Sequence, residues 1–202
     1  DIAEMKDGIL YFLRTKAIRL TAGFIFLLWS ALGAVYVVII VFIQRTLHSA
    51  TKDLGFLIMF LGIGLFIGSL AYGRFGEKIS RYKIIFVCLI ASGIMIIGFT
   101  LGVQRYPYFS LAALLAMLLG LCVSPIMIAS NTIIHNSSAS HMMGKIFSSL
   151  EIVMHLAFLV FMFITSILAD RIAPASILIT VGIMIAVIGA CSVIINPKQW
   201  PE

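Results

Sequence analysis

Six long apolar stretches, separated by short polar turns, dominate the hydrophobic pattern of this chain. They cover about residues 20–44, 53–73, 84–104, 107–134, 142–169 and 173–196. Each has the roughly 20 residues that an α-helix needs to cross the hydrocarbon core of a bilayer. Lipid cannot satisfy the unpaired backbone groups of an open sheet. The pattern therefore predicts an all-α membrane protein, with a six-transmembrane-helix bundle over residues 20–197.

A different periodicity precedes the first span. Apolar side chains recur at intervals of three and four residues at Ile2, Met5, Ile9 and Phe12, which is typical of an amphipathic helix. Such a helix lies along the membrane surface. We therefore expect residues 1–19 to form an amphipathic surface helix and residues 198–202 a short tail. Because the chain begins with Asp1 and shows no signal peptide, we expect it to be a segment of a longer protein.

Composition supports the membrane interpretation and argues against several other classes of protein. The chain is 62% hydrophobic and 11% charged, far more apolar than a typical soluble domain. A nucleic-acid-binding protein would carry its net charge of +6 on one basic face, whereas these charges fall in turns between apolar runs. The three cysteines lie inside apolar runs and have no metal-ligand spacing. No cofactor and no metal are expected.

The distribution of basic residues predicts the orientation. Of the 14 Lys and Arg residues, ten fall on the side of the spans that holds both termini. Basic loops stay in the cytoplasm. Both termini of the chain are therefore expected there.

Glu151 and His155 are the ionisable residues that lie well inside a span. They are four residues apart in the fifth span, so they share a helix face. An intramembrane carboxylate beside an imidazole is a candidate proton relay, because both groups can take up and release a proton. The alternative is a shallow Glu that reaches the headgroups and a His that bonds a neighbouring helix.

Polar and aromatic residues in two spans are candidates for a substrate cavity. Trp29 and Tyr36 fall on one stripe of the first span, with Gly33 between them, and Ser124 and Asn131 are two turns apart in the fourth. Ordinary packing between helices is the competing explanation. The third and sixth spans are nearly pure apolar sequence, which favours lipid-facing walls.

The second span changes abruptly into a basic turn. Gly64 and Gly68 share a helix face that lacks side chains, where another helix backbone can approach closely. The turn that follows is a candidate cytoplasmic gating loop, whose residues are Gly68, Gly73, Arg74, Gly76, Lys78 and Arg81.

Three segments resemble the carboxy-terminal six-helix half of a twelve-helix major facilitator superfamily transporter. EMKDGILYFLRTKAIRL, from Glu4, is similar to the linker before the seventh span. GSLAYGRFGEKISRYK, from Gly68, resembles the second copy of the superfamily's Gly, Asp, Arg, Gly, basic loop motif. GKIFSSLEIVMHLAF, from Gly144, is similar to the opening of the eleventh span. The resemblance is closest to the bacterial drug-exporter branch that includes macrolide and siderophore efflux proteins.

The loop departs from the superfamily motif at two positions. Gly73 stands where the Asp is usual, and Glu77 where a basic residue is common. The charge relay that the Asp serves in the amino-terminal copy is therefore in doubt for this loop.

The resemblance implies a two-half transporter of the bacterial inner membrane that works by alternating access. The first and fourth spans would line the cavity, and the second and fifth would border the missing amino-terminal half. The hypothesis is proton-coupled efflux of an amphipathic small molecule, with protons and membrane lipids as the other partners. One alternative is lysophospholipid or lipid translocation by the same fold. Another is a six-span membrane enzyme using Ser148 or Ser149 with His155, although the Gly, x, Ser, x, Gly turn is missing.

Overall fold

Six helices make up the computed structural model, which describes residues 16–47, 51–76, 79–138 and 143–195. No strand occurs within these ranges. The helices are α1 (Lys16–Leu47), α2 (Thr51–Phe75), α3 (Arg81–Arg105), α4 (Phe109–Ser137), α5 (Met143–Ala169) and α6 (Pro174–Ile195). The predicted all-α bundle is therefore confirmed. The expected surface helix lies almost entirely outside the described residues.

All six helices are long and apolar enough to cross a membrane. The shortest apolar segment has 20 residues, in α6, which corresponds to about 30 Å at 1.5 Å per residue. The predicted first span starts at Leu20, yet α1 continues back through Arg19 to Lys16. The predicted start is late because hydrophobicity identifies only the part of the helix that lies in the hydrocarbon. Charged residues outside that region continue the same helix.

Two of the connections between helices are short, and local hydrogen bonds and prolines explain where the helices end and begin. Between α3 and α4, Pro107 follows Tyr106, whose N–H caps α3 by donating to the Gly102 carbonyl. Before α6, the turn closes with Arg171 and Ile172 N–H groups donating to the Leu168 carbonyl at 3.0 and 2.8 Å. Pro174 then starts α6, a position that suits proline because the first amide of a helix has no intrahelical acceptor.

The helix neighbours follow an internal symmetry. The closest pairs are α2 with α4, α3 with α6, and α1 with α5, followed by α3 with α4 and by α1 with α4 and α6. Exchanging α1–α3 with α4–α6 maps this set of six pairs onto itself. The bundle is therefore two three-helix repeats, with α1 and α4 as equivalent central helices.

Glycines permit two of these close pairs. A methyl group at Gly64 of α2 would overlap the Met117 carbonyl oxygen of α4, and one at Gly120 of α4 would overlap the Leu61 carbonyl oxygen of α2. In the α3–α6 pair, a methyl at Gly93 would lie 2.5 Å from the Gly182 carbonyl oxygen. Bare backbone faces let membrane helices gain van der Waals contact where no hydrophobic force draws them together. The close approach predicted from Gly64 and Gly68 is thus present.

The buried side chains form three clusters around α1 and α4. One joins α1, α3, α4 and α6 around Leu28, Leu89 and Ile126, and a second joins five helices around Val38 and Val103. The third joins Ile18, Ala22 and Ile25 of α1 to Ile134 of α4 and to Ile146 and Leu150 of α5. In contrast, α2 and α5 bury the smallest share of their residues. These two helices present apolar faces that the described residues leave uncovered.

Candidate functional site

The most chemically varied contact in the bundle is an aromatic cluster between α1 and α5. The Trp29 ring lies 5.0 Å, centroid to centroid, from the His155 ring and 6.2 Å from the Phe158 ring. Tyr36 lies 5.7 Å from Phe158 in an edge-to-face arrangement. We call Trp29, Tyr36, His155 and Phe158 the α1–α5 aromatic cluster.

Helical periodicity brings these side chains to one interface. On α1, Trp29, Gly33 and Tyr36 follow the spacing i, i+4, i+7, and Glu151, His155 and Phe158 repeat it on α5. Gly33 is the point of closest approach, because a methyl group there would overlap the carbonyl oxygen of Phe158. The rings therefore pack on either side of a direct backbone contact.

His155 is held by the main chain of its own helix. Its Nδ1 lies 2.8 Å from the backbone carbonyl oxygen of Glu151. A carbonyl oxygen only accepts, so Nδ1 carries the hydrogen and donates it. In the neutral ring, Nε2 is then the nitrogen left to accept a proton. This bond joins His155 to the Glu151 backbone and not to its carboxylate, and the predicted proton relay between the two side chains stays a prediction.

Both ionisable residues are exposed, although they belong to a membrane-length helix. His155 is the 13th of 27 residues of α5, next to the middle of the helix. Glu151 lies about 6 Å nearer the start of the helix, at 1.5 Å per residue. Both groups are therefore accessible at the edge of the α1–α5 contact, where the His155 ring lies beside Trp29.

Trp29 carries an unusual polar group. Its indole Nε1 is buried and has no hydrogen-bond partner among the described residues. A buried donor without an acceptor is unfavourable, and such groups are uncommon in folded proteins. The indole ring thus packs beside the His155 ring, while its N–H has no acceptor among the described residues.

The other two predicted cavity residues lie on α4. Ser124 is buried, and its Cβ would be 3.1 Å from a methyl group placed at Gly68. It belongs to the α2–α4 contact, which is a different interface from the aromatic cluster. Asn131 is exposed, as is His135 one turn later. Only Trp29 and Tyr36 of the four predicted cavity residues share one cluster.

The described residues of the predicted gating loop lie at the end of α2 and the start of α3, and we call this region the α2–α3 corner. Gly68, Gly73 and Arg74 lie in α2, and Arg81 begins α3. Arg74 is exposed, with its guanidinium 5.9 Å from the Phe75 ring centroid. Lys78 lies outside the described residues.

Tyr72 organises this corner, and the sequence reasoning missed it. A methyl at Gly76 would lie 3.0 Å from the Tyr72 ring, and Arg81 hydrogen-bonds the Tyr72 side chain. The ring also packs against the buried cluster around Leu28, Leu89 and Ile126. Its position four residues before Gly76, on the same helix face, was the available signal. Phe158 was missed in the same way, three residues after His155.

The serine and histidine of the enzyme alternative are each bonded elsewhere. The Ser148 hydroxyl donates to the Lys145 carbonyl at 3.1 Å, whereas His155 donates to the Glu151 carbonyl. Ser149 is buried, and its hydroxyl has no partner among the described residues. Within those residues, no group of three or more His, Cys, Asp or Glu side chains is placed to hold a metal ion.

The geometry can be set beside known families. The sequence model of the Major Facilitator Superfamily matches residues 20–200. The chain belongs to this superfamily. Members of the Major Facilitator Superfamily are membrane transporters, so this chain is a multi-pass integral membrane protein of a transporter family. Paired three-helix repeats within a six-helix half are a property of Major Facilitator Superfamily transporters, and α1–α3 and α4–α6 have that relation. A comparison with curated proteins found no match.

Proposed function

We propose that the chain takes part in proton-coupled export of an amphipathic small molecule, with Glu151 carrying the proton and His155 sharing it. The observation that supports this is an exposed carboxylate and an exposed imidazole near the middle of α5, beside an aromatic cluster. Ionisable groups at such depth are costly and tend to mark ion or substrate pathways. A proton arriving from one side can neutralise Glu151, and substrate binding can favour its release.

The aromatic cluster supplies the apolar part of the proposed site. Tyr36 is 54% exposed, so its ring can contact a bound substrate while its edge stays packed on Phe158. Trp29 is half-buried behind it, and exposed Asn131 on α4 offers a hydrogen-bonding amide. Ser124, buried against Gly68, would become available only if α2 and α4 separated.

Transport by alternating access also requires a second bundle. We propose that an amino-terminal six-helix half of the same protein covers the exposed faces of α2 and α5. Substrate would be held between the halves and released as one half rocks against the other. The corner of Tyr72, Gly76, Arg74 and Arg81 would then close one side of the cavity.

The proposed setting is the bacterial inner membrane, with both ends of this chain in the cytoplasm. Ten of the 14 basic residues on one side support that orientation. The corner between α2 and α3 would lie on the cytoplasmic side, where its arginines can also interact with anionic headgroups.

A second candidate substrate is a lysophospholipid. The α5 face beside His155 exposes large apolar side chains, including Leu156 at 60% and Leu159 at 54%. An acyl chain could reach the site sideways from the bilayer along this face. Lysolipid that competes with drug-like substrates for transport would favour this candidate, whereas indifference would favour export of soluble amphipathic compounds.

Replacement of Glu151 by Gln in the complete protein tests the proton assignment. Proteoliposomes would be given substrate and an imposed pH gradient, and the initial transport rate measured with and without the gradient. We expect Glu151→Gln to remove the stimulation by the gradient. Asp170→Asn, an exposed carboxylate in the turn after α5, is the matched control and should keep it. Stimulation that survives in Glu151→Gln would refute the assignment.

A further inference from the structure

We propose that Trp29 is a positioning residue for His155, and that the two rings form a protonation-sensitive joint between α1 and α5. The starting observation is the 5.0 Å separation of the ring centroids, with the planes inclined at 45°. A cation held within about 6 Å of an indole face is attracted by the π electrons. The Trp29–His155 contact is therefore stronger when the imidazole carries a second proton.

The hydrogen bond of His155 determines where that proton binds. Because Nδ1–H donates to the Glu151 carbonyl at 2.8 Å, the nitrogen that gains the proton is Nε2. The same bond fixes the orientation of the ring. Protonation thus changes the charge of the ring without requiring it to turn away from Trp29.

Among the described residues, Trp29 and Glu151 are the ones that contact His155, and the other charged or titratable groups of the neighbouring helices lie further away. On α5, Lys145 is ten residues away, about 15 Å along the helix, and on α1 Arg19 is equally far from Trp29. Tyr36 meets Phe158, not the imidazole. On α4, which meets α5 through Ile134, the titratable neighbour is exposed His135. Residues 174–193 of α6 include no Asp, Glu, Lys, Arg or His, and their one titratable side chain is Cys191.

The consequence follows from the way α5 is attached. Its main helix neighbour is α1, and its buried Ile146 and Leu150 pack in a cluster with side chains of α1 and with Ile134 of α4. A change in the Trp29–His155 contact therefore acts on the principal attachment of α5. Gain of a proton tightens the joint, and its loss loosens α5 from the central helix. The inference rests on the proposed proton step for its role in transport, but not for the existence of the joint.

Fluorescence of Trp29 tests the joint directly. The chain contains two tryptophans, Trp29 and Trp200, so Trp200→Phe leaves Trp29 as its single indole reporter. An adjacent imidazolium quenches indole emission more strongly than neutral imidazole does. We expect the emission of this variant in nanodiscs to fall in one step as the pH is lowered and the imidazole gains its second proton. Adding His155→Gln should abolish the step, and His135→Gln should leave it.

The results distinguish failure of the joint from failure of the proposed proton carrier. Emission that does not change with pH, or a step that persists in His155→Gln, overturns the proposal. If the step depends on His155 while Glu151→Gln keeps normal gradient-driven transport, the joint stands and the proposed proton carrier fails. The pH series on Trp200→Phe uses a protein with both joint residues intact, so its result does not depend on the folding of His155→Gln.

Transport then distinguishes positioning from bulk packing. Trp29→Phe keeps an aromatic face against His155, and Trp29→Leu removes it. We expect Trp29→Leu to shift the pH profile of transport and Trp29→Phe to restore most of it. Phe26→Leu removes an exposed aromatic from the same helix and should leave the profile unchanged. Identical profiles for Trp29→Leu and the unmodified protein would overturn the positioning role.

Discussion

Gly68 of α2 faces the carbonyl oxygen of Leu121 on α4, and a methyl group at Gly68 would lie 2.7 Å from that oxygen. Pro125 lies inside α4, four residues after Leu121, and proline has no N–H to donate to this carbonyl. One Cα hydrogen of Gly68 therefore points at the oxygen that proline deprives of its usual donor. Such Cα–H to oxygen contacts recur between closely packed helices. Gly68 thus approaches the Leu121 carbonyl oxygen that Pro125 leaves without a backbone donor, across the α2–α4 contact.

Gly68→Ala should consequently weaken the bundle. The added methyl would force α2 away from the Leu121 carbonyl, and overpacking of this kind costs about 1–3 kcal/mol. Thermal unfolding in detergent, followed by circular dichroism, would measure the loss. Gly62→Ala is the control on the same helix, because nothing lies within 4 Å of a methyl there. Equal effects of the two substitutions would contradict the contact.

Gly33→Ala should loosen α5 in a similar way. The methyl would overlap the Phe158 carbonyl oxygen, so we expect a loss of about 1–3 kcal/mol together with altered emission from nearby Trp29. Gly23→Ala, where a methyl on α1 would meet nothing within 4 Å, should preserve both the stability and the spectrum. The prediction fails if Gly33→Ala resembles Gly23→Ala in the two measurements.

The ring and the hydroxyl of Tyr72 should make separate contributions to the free energy of unfolding. Tyr72→Phe removes the bond with exposed Arg81, which is worth under about 1 kcal/mol because water competes for it. Tyr72→Ala also removes the half-buried ring that covers Gly76, at a cost of about 2 kcal/mol. Chemical denaturation of both variants would give the two values. A larger loss in Tyr72→Phe than in Tyr72→Ala would disprove the packing role.

The orientation of the bundle can be tested by labelling single cysteines. In a chain whose native cysteines are replaced by Ala, Lys83→Cys should react with a membrane-impermeant maleimide only after the cells are opened. Arg105→Cys, at the far end of the same helix, should react in intact cells. The opposite result would reverse the proposed orientation of both termini.

Sequence reasoning found the helices because crossing a bilayer imposes a length and a hydrophobicity that the residues themselves display. It was weaker at choosing neighbours. Apolar side chains face both lipid and other helices, so a membrane helix lacks the polar outer face that shows which side of a soluble helix is buried. The stripe containing Ser124 and Asn131 illustrates this: Ser124 packs at Gly68, whereas Asn131 stays exposed.

Glycine spacing was the better guide to contacts, because a face without side chains can be recognised without knowing the partner. It placed Gly68 at a close approach, but it could not identify Leu121 or Phe158 as the backbone on the other side. Those partners depend on the relative height of two helices, which no periodicity within one helix contains.

The repeat relation between α1–α3 and α4–α6 makes α2 the counterpart of α5, yet the side chains at the two contacts differ. Close-fitting backbone fastens both helices, at Gly64 and Gly68 for α2 and at Gly33 for α5. At the α5 contact, a histidine also packs against the neighbouring helix, through Trp29. If the proposed Trp29–His155 joint operates, a change in pH would act on the attachment of α5 and leave that of α2 unchanged. The resulting motion would be asymmetric, because α5 would shift relative to α1 while α2 stays packed on α4.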